Sequence, residues 1–157
     1  MAGRPSGGLH PPCPAAAVEL TPDPVRDLTA LGAAYVANAL ANSALYRSMF
    51  DAAAELENPT AADQTFEVLV GCVARARDAG RFSETCDPQA VATQFWVTGH
   101  GLTMLVLTGV LPREALDVHA PAIAIALLVA AGDDEDTCRC SVRLGWSSPE
   151  LMLDPVS

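Results

Sequence analysis

The sequence predicts an all-α protein, a helical bundle of about five helices. Hydrophobic residues make up 50% of the chain and aromatic residues only 5%. Alanine and leucine therefore dominate the apolar set, and both are strong helix formers. Isoleucine, tyrosine and phenylalanine, which favour strands, are scarce. Apolar side chains also recur at helical spacing between cap signals. At 157 residues, one domain with a substantial core is expected.

Cap signals divide the first half of the chain into helices. Residues 21–24 (Thr-Pro-Asp-Pro) offer a capping candidate, an acid in the first turn and a proline whose missing N–H is harmless there, and predict a helix that runs to about Asn42. A short helix over residues 43–50 is expected to follow. Residues 58–60 (Asn-Pro-Thr) break the chain and open a third helix. That helix is predicted to end at Gly80 in a left-handed C-cap.

The second half carries the most apolar helices. Asp87 and the proline after it predict a fourth helix that ends near Gly109. A fifth is expected over residues 112–131, where Pro121 either kinks the helix or restarts it. Alanine alternates with isoleucine or leucine over residues 120–127, which also fits a strand. An isolated strand in an all-helical chain would have no partner, so a helix is predicted.

The folded domain is predicted to span residues 21–132. Residues 1–20 are rich in proline, glycine and alanine and are expected to be disordered. Residues 133–157 begin with an acidic run and are expected to form a loose tail. The N-terminus lacks the apolar segment of a secretory signal. The apolar runs 102–111 and 120–131 are each too short for a bilayer. A cytoplasmic protein without a membrane span is therefore expected.

The charge balance argues against nucleic-acid binding by this chain. The formal net charge is −10, and all nine basic residues are arginine. Affinity for nucleic acid comes largely from cation–phosphate contacts, which need a basic face. We therefore expect no direct contact with DNA.

Neither a catalytic nor a metal site is predicted. The five cysteines are irregularly spaced, and Cys138 and Cys140 lack the second pair or the histidine that a structural zinc site needs. No nucleophile motif of the Gly-x-Ser-x-Gly type occurs. Cys72 and Cys86 fall near core positions, where thiols are usually inert. No cofactor is implied, and an enzyme is not expected.

The stretch from Trp96 to Gly101 places polar rings inside an apolar helix. Trp96 and His100 are four residues apart, so both rings project from one face. One interpretation is a packing pair in which a neighbouring group satisfies the imidazole. The other is an effector pocket, since pockets in bundles are mostly apolar with a few polar groups. The six candidate ligand-binding residues are Tyr35, Phe50, Phe66, Trp96, His100 and Met104.

The last two helices are more apolar than a small domain can bury, which predicts a homodimer through two helices of each subunit. Glycine costs about 1 kcal/mol against alanine inside a helix, so Gly99 and Gly101 are expected to allow a close approach or a bend. The candidate interface residues are Gly99, Thr103, Leu107, Ala122, Ile123, Ala126 and Leu127.

Residues 35–111 resemble the C-terminal, effector-binding and dimerisation domain of TetR-type transcriptional regulators. Within that family, the chain resembles the subgroup marked by the motif Trp-x-x-x-His-Gly, which Trp96, His100 and Gly101 match. Supporting phrases are Leu-Tyr-Arg-Ser-Met-Phe at 45–50 and Ala-Gly-Arg-Phe at 79–82. The resemblance implies a dimer that binds a small apolar effector, whose entry shifts the two subunits relative to each other.

The chain departs from the family pattern at its N-terminus. Family members place a DNA-binding helix-turn-helix before this domain, whereas few residues precede the first predicted helix here, and they are rich in proline and glycine. No helix-turn-helix is therefore expected in this chain. Two other functions stay open: a stand-alone dimerisation module that acts on a full-length relative, and a small-molecule-binding protein or remnant enzyme.

Overall fold

The computed structural model describes residues 20–44 and 59–148, and within these two stretches every regular element is a helix. The predicted all-α class is thus confirmed. The short helix expected over residues 43–50 lies outside the described residues except for its first two positions, and so do residues 1–19 and 149–157 of the two terminal segments. The described helices are α1 (Pro24–Ala41), α2 (Pro59–Asp78), α3 (Pro88–Leu107), α4 (Glu114–Ala130) and α5 (Glu135–Trp146).

The predicted helix-start signals lie at the observed helix starts, but Asp23, expected as an acid of the first turn, is itself the N-cap of α1. The Asp23 carboxylate accepts hydrogen bonds from the backbone N–H groups of Val25 and Arg26, at 3.0 and 3.1 Å. Asp87 caps α3 by accepting from the N–H of Gln89 at 3.0 Å. Gly80 follows α2 with a φ of 77°, a left-handed conformation that closes a helix C-terminus at little cost only for glycine. These local signals fix where the chain turns.

Helix α1 lies at the centre of the bundle, in contact with α2, α3 and α5. Helices α4 and α5 complete the packing, α4 against α3 and α5 against both α1 and α4. Helix α4 continues through Pro121 without a restart, and its alternating alanines are helical, as predicted. The fully buried core side chains of at least valine size are Leu28, Leu128, Val25, Val73 and Val142.

The prediction of a loose tail after residue 132 is wrong for residues 135–146. They form α5, whose buried residues Cys138, Ser141, Val142 and Gly145 follow the i, i+3, i+4, i+7 spacing of an amphipathic helix. The many charged residues of this segment concealed the pattern, because they occupy its exposed face. A cap signal was also present: Asp134 accepts a hydrogen bond from the N–H of Thr137 at 3.0 Å.

A buried polar network fastens α5 to the start of α1. Arg81, just after α2, donates two hydrogen bonds to the Asp133 carboxylate, at 2.7 and 2.8 Å, and one to Asp23 at 3.1 Å. Ser141 of α5 donates to Asp23 at 2.6 Å. Burial alone would raise the pKa of Asp23, but the hydrogen bonds from Ser141 and the backbone and the charge of Arg81 hold that pKa below its usual value.

Helices α1 and α5 also approach closely where a side chain is missing. A Cβ atom placed on Gly145 would lie 2.5 Å from the carbonyl oxygen of Arg26 and 2.8 Å from the Cβ of Thr29. Real Cβ atoms do not approach other atoms this closely. The glycine therefore sets the distance between the two helices.

One face of the bundle is apolar and exposed. It is formed by α3 and α4, and Val97, Leu105 and Val118 on it are 63%, 43% and 65% exposed. By length and composition alone, α3 is the one helix in the described part of the chain that could cross a membrane. It is longer than the apolar run at 102–111 because the helix begins at Pro88. Core helices of soluble proteins meet the same criteria. We call this surface the α3–α4 face; its exposed members are Val97, Gly101, Leu105, Val118, Ala122 and Ala126.

Candidate ligand site

A small apolar cavity lies between α1, α2 and α3, and we call it the Tyr35 cavity. It is partly open to solvent and has a volume of about 40 Å³, which is room for about three water molecules. Tyr35 from α1 and Trp96 and His100 from α3 present their rings to it. The remaining lining residues are Leu31, Gly32, Thr65, Leu69, Phe95 and Gly99.

The polar part of this cavity is a hydrogen bond between two neutral groups. The Tyr35 hydroxyl lies 2.9 Å from Nδ1 of His100. Burial raises the pKa of Tyr35 to about 12, although a hydrogen bond with Trp96 opposes the increase. Burial also lowers the pKa of His100 below 6.5. At neutral pH, the pair can therefore offer hydrogen bonds to a ligand without carrying charge.

Phe66 holds Trp96 in place from the side of α2. The two rings are stacked, with their centroids 5.5 Å apart and their planes 29° apart. Offset stacking of this kind stabilises an aromatic pair beyond the burial of its area. Phe66 thus supports the cavity wall without lining the cavity.

Four of the six predicted ligand residues gather at or beside the Tyr35 cavity. Tyr35, Trp96 and His100 line it, and Phe66 lies behind Trp96. Met104, one turn beyond His100, packs in a separate small cluster around Ala39 and Leu107 and does not line the cavity. Phe50 lies outside the described residues.

Phe95 and Gly32 line the cavity but were not among the predicted site residues. A Cβ atom on Gly32 would lie 3.1 Å from the Phe95 ring, so the ring packs on bare backbone of α1. A glycine in the middle of the apolar stripe of α1 was the available signal. It marks a place where another element comes close.

The close approach expected at Gly99 and Gly101 is not found within the described chain. A Cβ atom on either glycine would meet nothing within 4 Å. Gly99 instead borders the Tyr35 cavity, where the missing side chain leaves space. Gly101 lies on the α3–α4 face.

The α3 part of the predicted dimer interface has the wrong register. Thr103 is 0% exposed and Leu107 is 7% exposed, so both side chains face the interior. Positions two residues apart on an α-helix, such as 103 and 105, are separated by about 200° around its axis. The exposed side of α3 therefore carries Val97, Gly101 and Leu105 instead. Since the second half of α3 is apolar nearly all round, its periodicity did not reveal which side faces inwards.

The α4 part of the predicted interface is divided between surface and interior. Ala122 and Ala126 are exposed, whereas Ile123 and Leu127 are half-buried. Ile123 packs on a cluster that contains Val36, and Leu127 packs against the main core. The two alanines are therefore the predicted α4 residues that a partner can reach.

The described cysteines do not form a reactive or metal-binding cluster. Cys138 is fully buried in the core and Cys140 is exposed, on different sides of α5. Burial raises the pKa of Cys138 to about 12 and that of Cys72 to about 11, so both thiols stay protonated. Within residues 20–44 and 59–148, no group of three His, Cys, Asp or Glu side chains is placed to hold a metal ion.

The position of His100 makes stability depend on pH. Since the folded protein has the lower pKa, the unfolded chain binds more protons below about pH 6.5, and stability falls as pH falls. We expect His100→Gln to flatten this dependence between pH 7.5 and 5.5, as measured by urea unfolding. His119→Gln, at an exposed position on α4, is the control. An unchanged pH dependence in His100→Gln would contradict the prediction.

Comparison with known proteins identifies the family. The family model described as "Tetracyclin repressor-like, C-terminal domain" matches residues 28–131, which is more than half of the chain and runs from α1 through α4. No curated protein and no solved structure gave a significant match. C-terminal domains of this family typically dimerise and bind small ligands, and are generally not enzymes. The chain belongs to the TetR family, and residues 28–131 are its C-terminal regulatory domain.

Proposed function

We propose that this chain is the effector-binding and dimerisation domain of a cytoplasmic TetR-type regulator of the Trp-x-x-x-His-Gly subgroup. The observation that carries the proposal is the Tyr35 cavity, where Tyr35, Trp96 and His100 place hydrogen-bonding groups against apolar walls. The net charge of −10 opposes DNA binding by the chain alone. We propose that the domain acts by passing the effector signal between subunits.

The cavity suits a neutral effector that is mostly apolar. None of the described residues that line it is Asp, Glu, Lys or Arg, so a charged ligand would lose its hydration without gaining an ion pair. A ligand with one hydrogen-bonding group can engage the Tyr35–His100 pair and bury its remaining surface against Leu31, Leu69 and Phe95. The small volume requires the cavity to open further on binding.

Binding of N-phenylnaphthylamine, a neutral fluorophore with a single N–H group, tests the proposal. We expect saturable binding that quenches Trp96, because the indole lies in the cavity wall. His100→Ala is expected to weaken binding at least tenfold, since it removes one member of the Tyr35–His100 pair that the N–H group engages.

His119→Ala, exposed on α4, serves as the control and is expected to leave binding unchanged. If His100→Ala lowers the melting temperature but keeps wild-type affinity, the histidine is a packing residue and the ligand site lies elsewhere.

We propose that the α3–α4 face binds a second copy of the chain. Helix α3 contains no Asp, Glu, Lys or Arg, and α4, which packs against it, exposes Ala122 and Ala126. Gly101 supports a second copy of the chain as the partner. It destabilises the helix, and nothing within the described chain approaches it, so a close approach by a partner helix explains its presence. Dimerisation is also typical of the family.

Leu105→Arg is expected to convert the protein from a dimer into a monomer, because it places a charge in the centre of the α3–α4 face. Light scattering coupled to gel filtration measures the mass. Leu144→Arg is the matched control: Leu144 is 51% exposed but lies on α5, away from this face, and should leave the dimer intact. A monomeric wild-type protein at micromolar concentration would contradict the proposed dimer.

A further inference from the structure

A second cavity lies on the other side of Phe95, and we call it the Trp146 cavity. It is also partly open and has a volume of about 40 Å³. Its walls come from α1, α3, α4 and α5, including Val36, Leu116, Ile123 and Trp146. Gly32, Phe95 and Gly99 line both cavities. The two cavities are therefore neighbours that share a wall.

Among the described residues that line both cavities, Phe95 is the only one that is not glycine. Its ring is half-buried and packs on the bare backbone of Gly32. On α3 itself, the position of a Gly99 Cβ atom has no neighbour within 4 Å, so open space lies one turn along the helix from the ring. A rotation of the Phe95 ring into this space would join the two cavities.

We propose that the two cavities are halves of one effector site and that Phe95 is the movable partition between them. The inference rests on the proposed effector-binding function and extends it, because it identifies the class of ligand. That ligand is a neutral, elongated and largely apolar molecule, with its hydrogen-bonding group in the Tyr35 cavity and its apolar end in the Trp146 cavity.

The hydrogen-bonding side chains of the two cavities indicate the orientation of the ligand. The Tyr35 cavity contains the phenol, indole and imidazole groups. In the Trp146 cavity, the hydroxyls of Thr29 and Thr98 donate to backbone carbonyls of their own helices, at 2.9 and 2.8 Å. The other described lining side chains of that cavity are apolar apart from the indole of Trp146. An apolar ligand end therefore gains most by burial there.

Filling each cavity separately tests whether one ligand spans both. Thr65→Phe places a ring in the Tyr35 cavity, and Ala120→Phe places one in the Trp146 cavity; both positions are only partly buried, which favours correct folding. Thermal unfolding checks each variant. Ala90→Phe, at an exposed position of α3 that lines neither cavity, is the control. Phe95→Ala removes the partition. Affinity for N-phenylnaphthylamine is measured by fluorescence titration.

We expect Thr65→Phe and Ala120→Phe each to weaken binding at least tenfold, Ala90→Phe to have no effect, and Phe95→Ala to tighten binding at least tenfold because no rotation is then needed. If only one filled cavity weakens binding, or if Phe95→Ala binds no tighter than wild type, the spanning site is wrong while effector binding stands. If neither wild type nor Phe95→Ala shows saturable binding, the proposed effector-binding function fails as well.

Discussion

Replacing Arg81 with methionine is expected to lower the free energy of unfolding by about 3 kcal/mol. The substitution keeps most of the apolar stem but removes the charge that pairs with Asp133, whose side chain is only 1% exposed. A buried carboxylate without its partner costs about 3–5 kcal/mol. This is a large part of the about 5–15 kcal/mol by which domains are stable. Urea unfolding followed by circular dichroism measures the loss.

Arg139→Met is the matched control for this substitution. Arg139 forms an ion pair with Glu135 at 2.6 Å, but the two side chains are 53% and 61% exposed. Pairs of this kind contribute about 0.3–0.5 kcal/mol, so the control should be nearly neutral. Equal losses in the two variants would show that the network around Arg81 does not hold α5 against α1.

Gly145→Ala is expected to lower the free energy of unfolding by about 2 kcal/mol, although alanine is the better helix former. The new methyl group would lie 2.5 Å from the carbonyl oxygen of Arg26, and relief requires the backbones of α1 and α5 to separate. Overpacking of this kind costs about 1–3 kcal/mol. Thermal and urea unfolding of the purified variant measure the change.

Gly71→Ala provides a control of opposite sign. Gly71 is an exposed residue in the middle of α2, where an added Cβ atom meets nothing within 4 Å. The same substitution there should stabilise the protein by about 1 kcal/mol through helix propensity. If Gly145→Ala stabilises the protein to a similar extent, α5 is not packed against α1 at this distance.

Local signals accounted for much of the fold. The start signal at residues 21–24, the cap at Asp87 and the closing glycine at position 80 act through neighbours within a few residues, so the sequence alone locates these helix ends. Helix α5 was missed although its signals are also local. Its charged residues cover one face, and counting them hid the buried spacing of Cys138 and Val142.

The sequence also indicated part of the candidate site. Trp96 and His100 share a helix face because they are four residues apart, and Tyr35 was recognised as a ring on the stripe of α1. Phe95 and Gly32 were not found. Their roles depend on how α1 and α3 lie against each other, and neither residue is unusual in its own helix.

By itself, the sequence determined the helical class, the ends of most described helices and the family, because these depend on composition, caps and short motifs. Only the tertiary structure decided which side of α3 faces the core. An apolar helix gains similar burial energy on any side, so the faces of its neighbours select one. That choice buries Thr103 and Leu107, exposes Val97 and Leu105, and places Phe95 between two cavities.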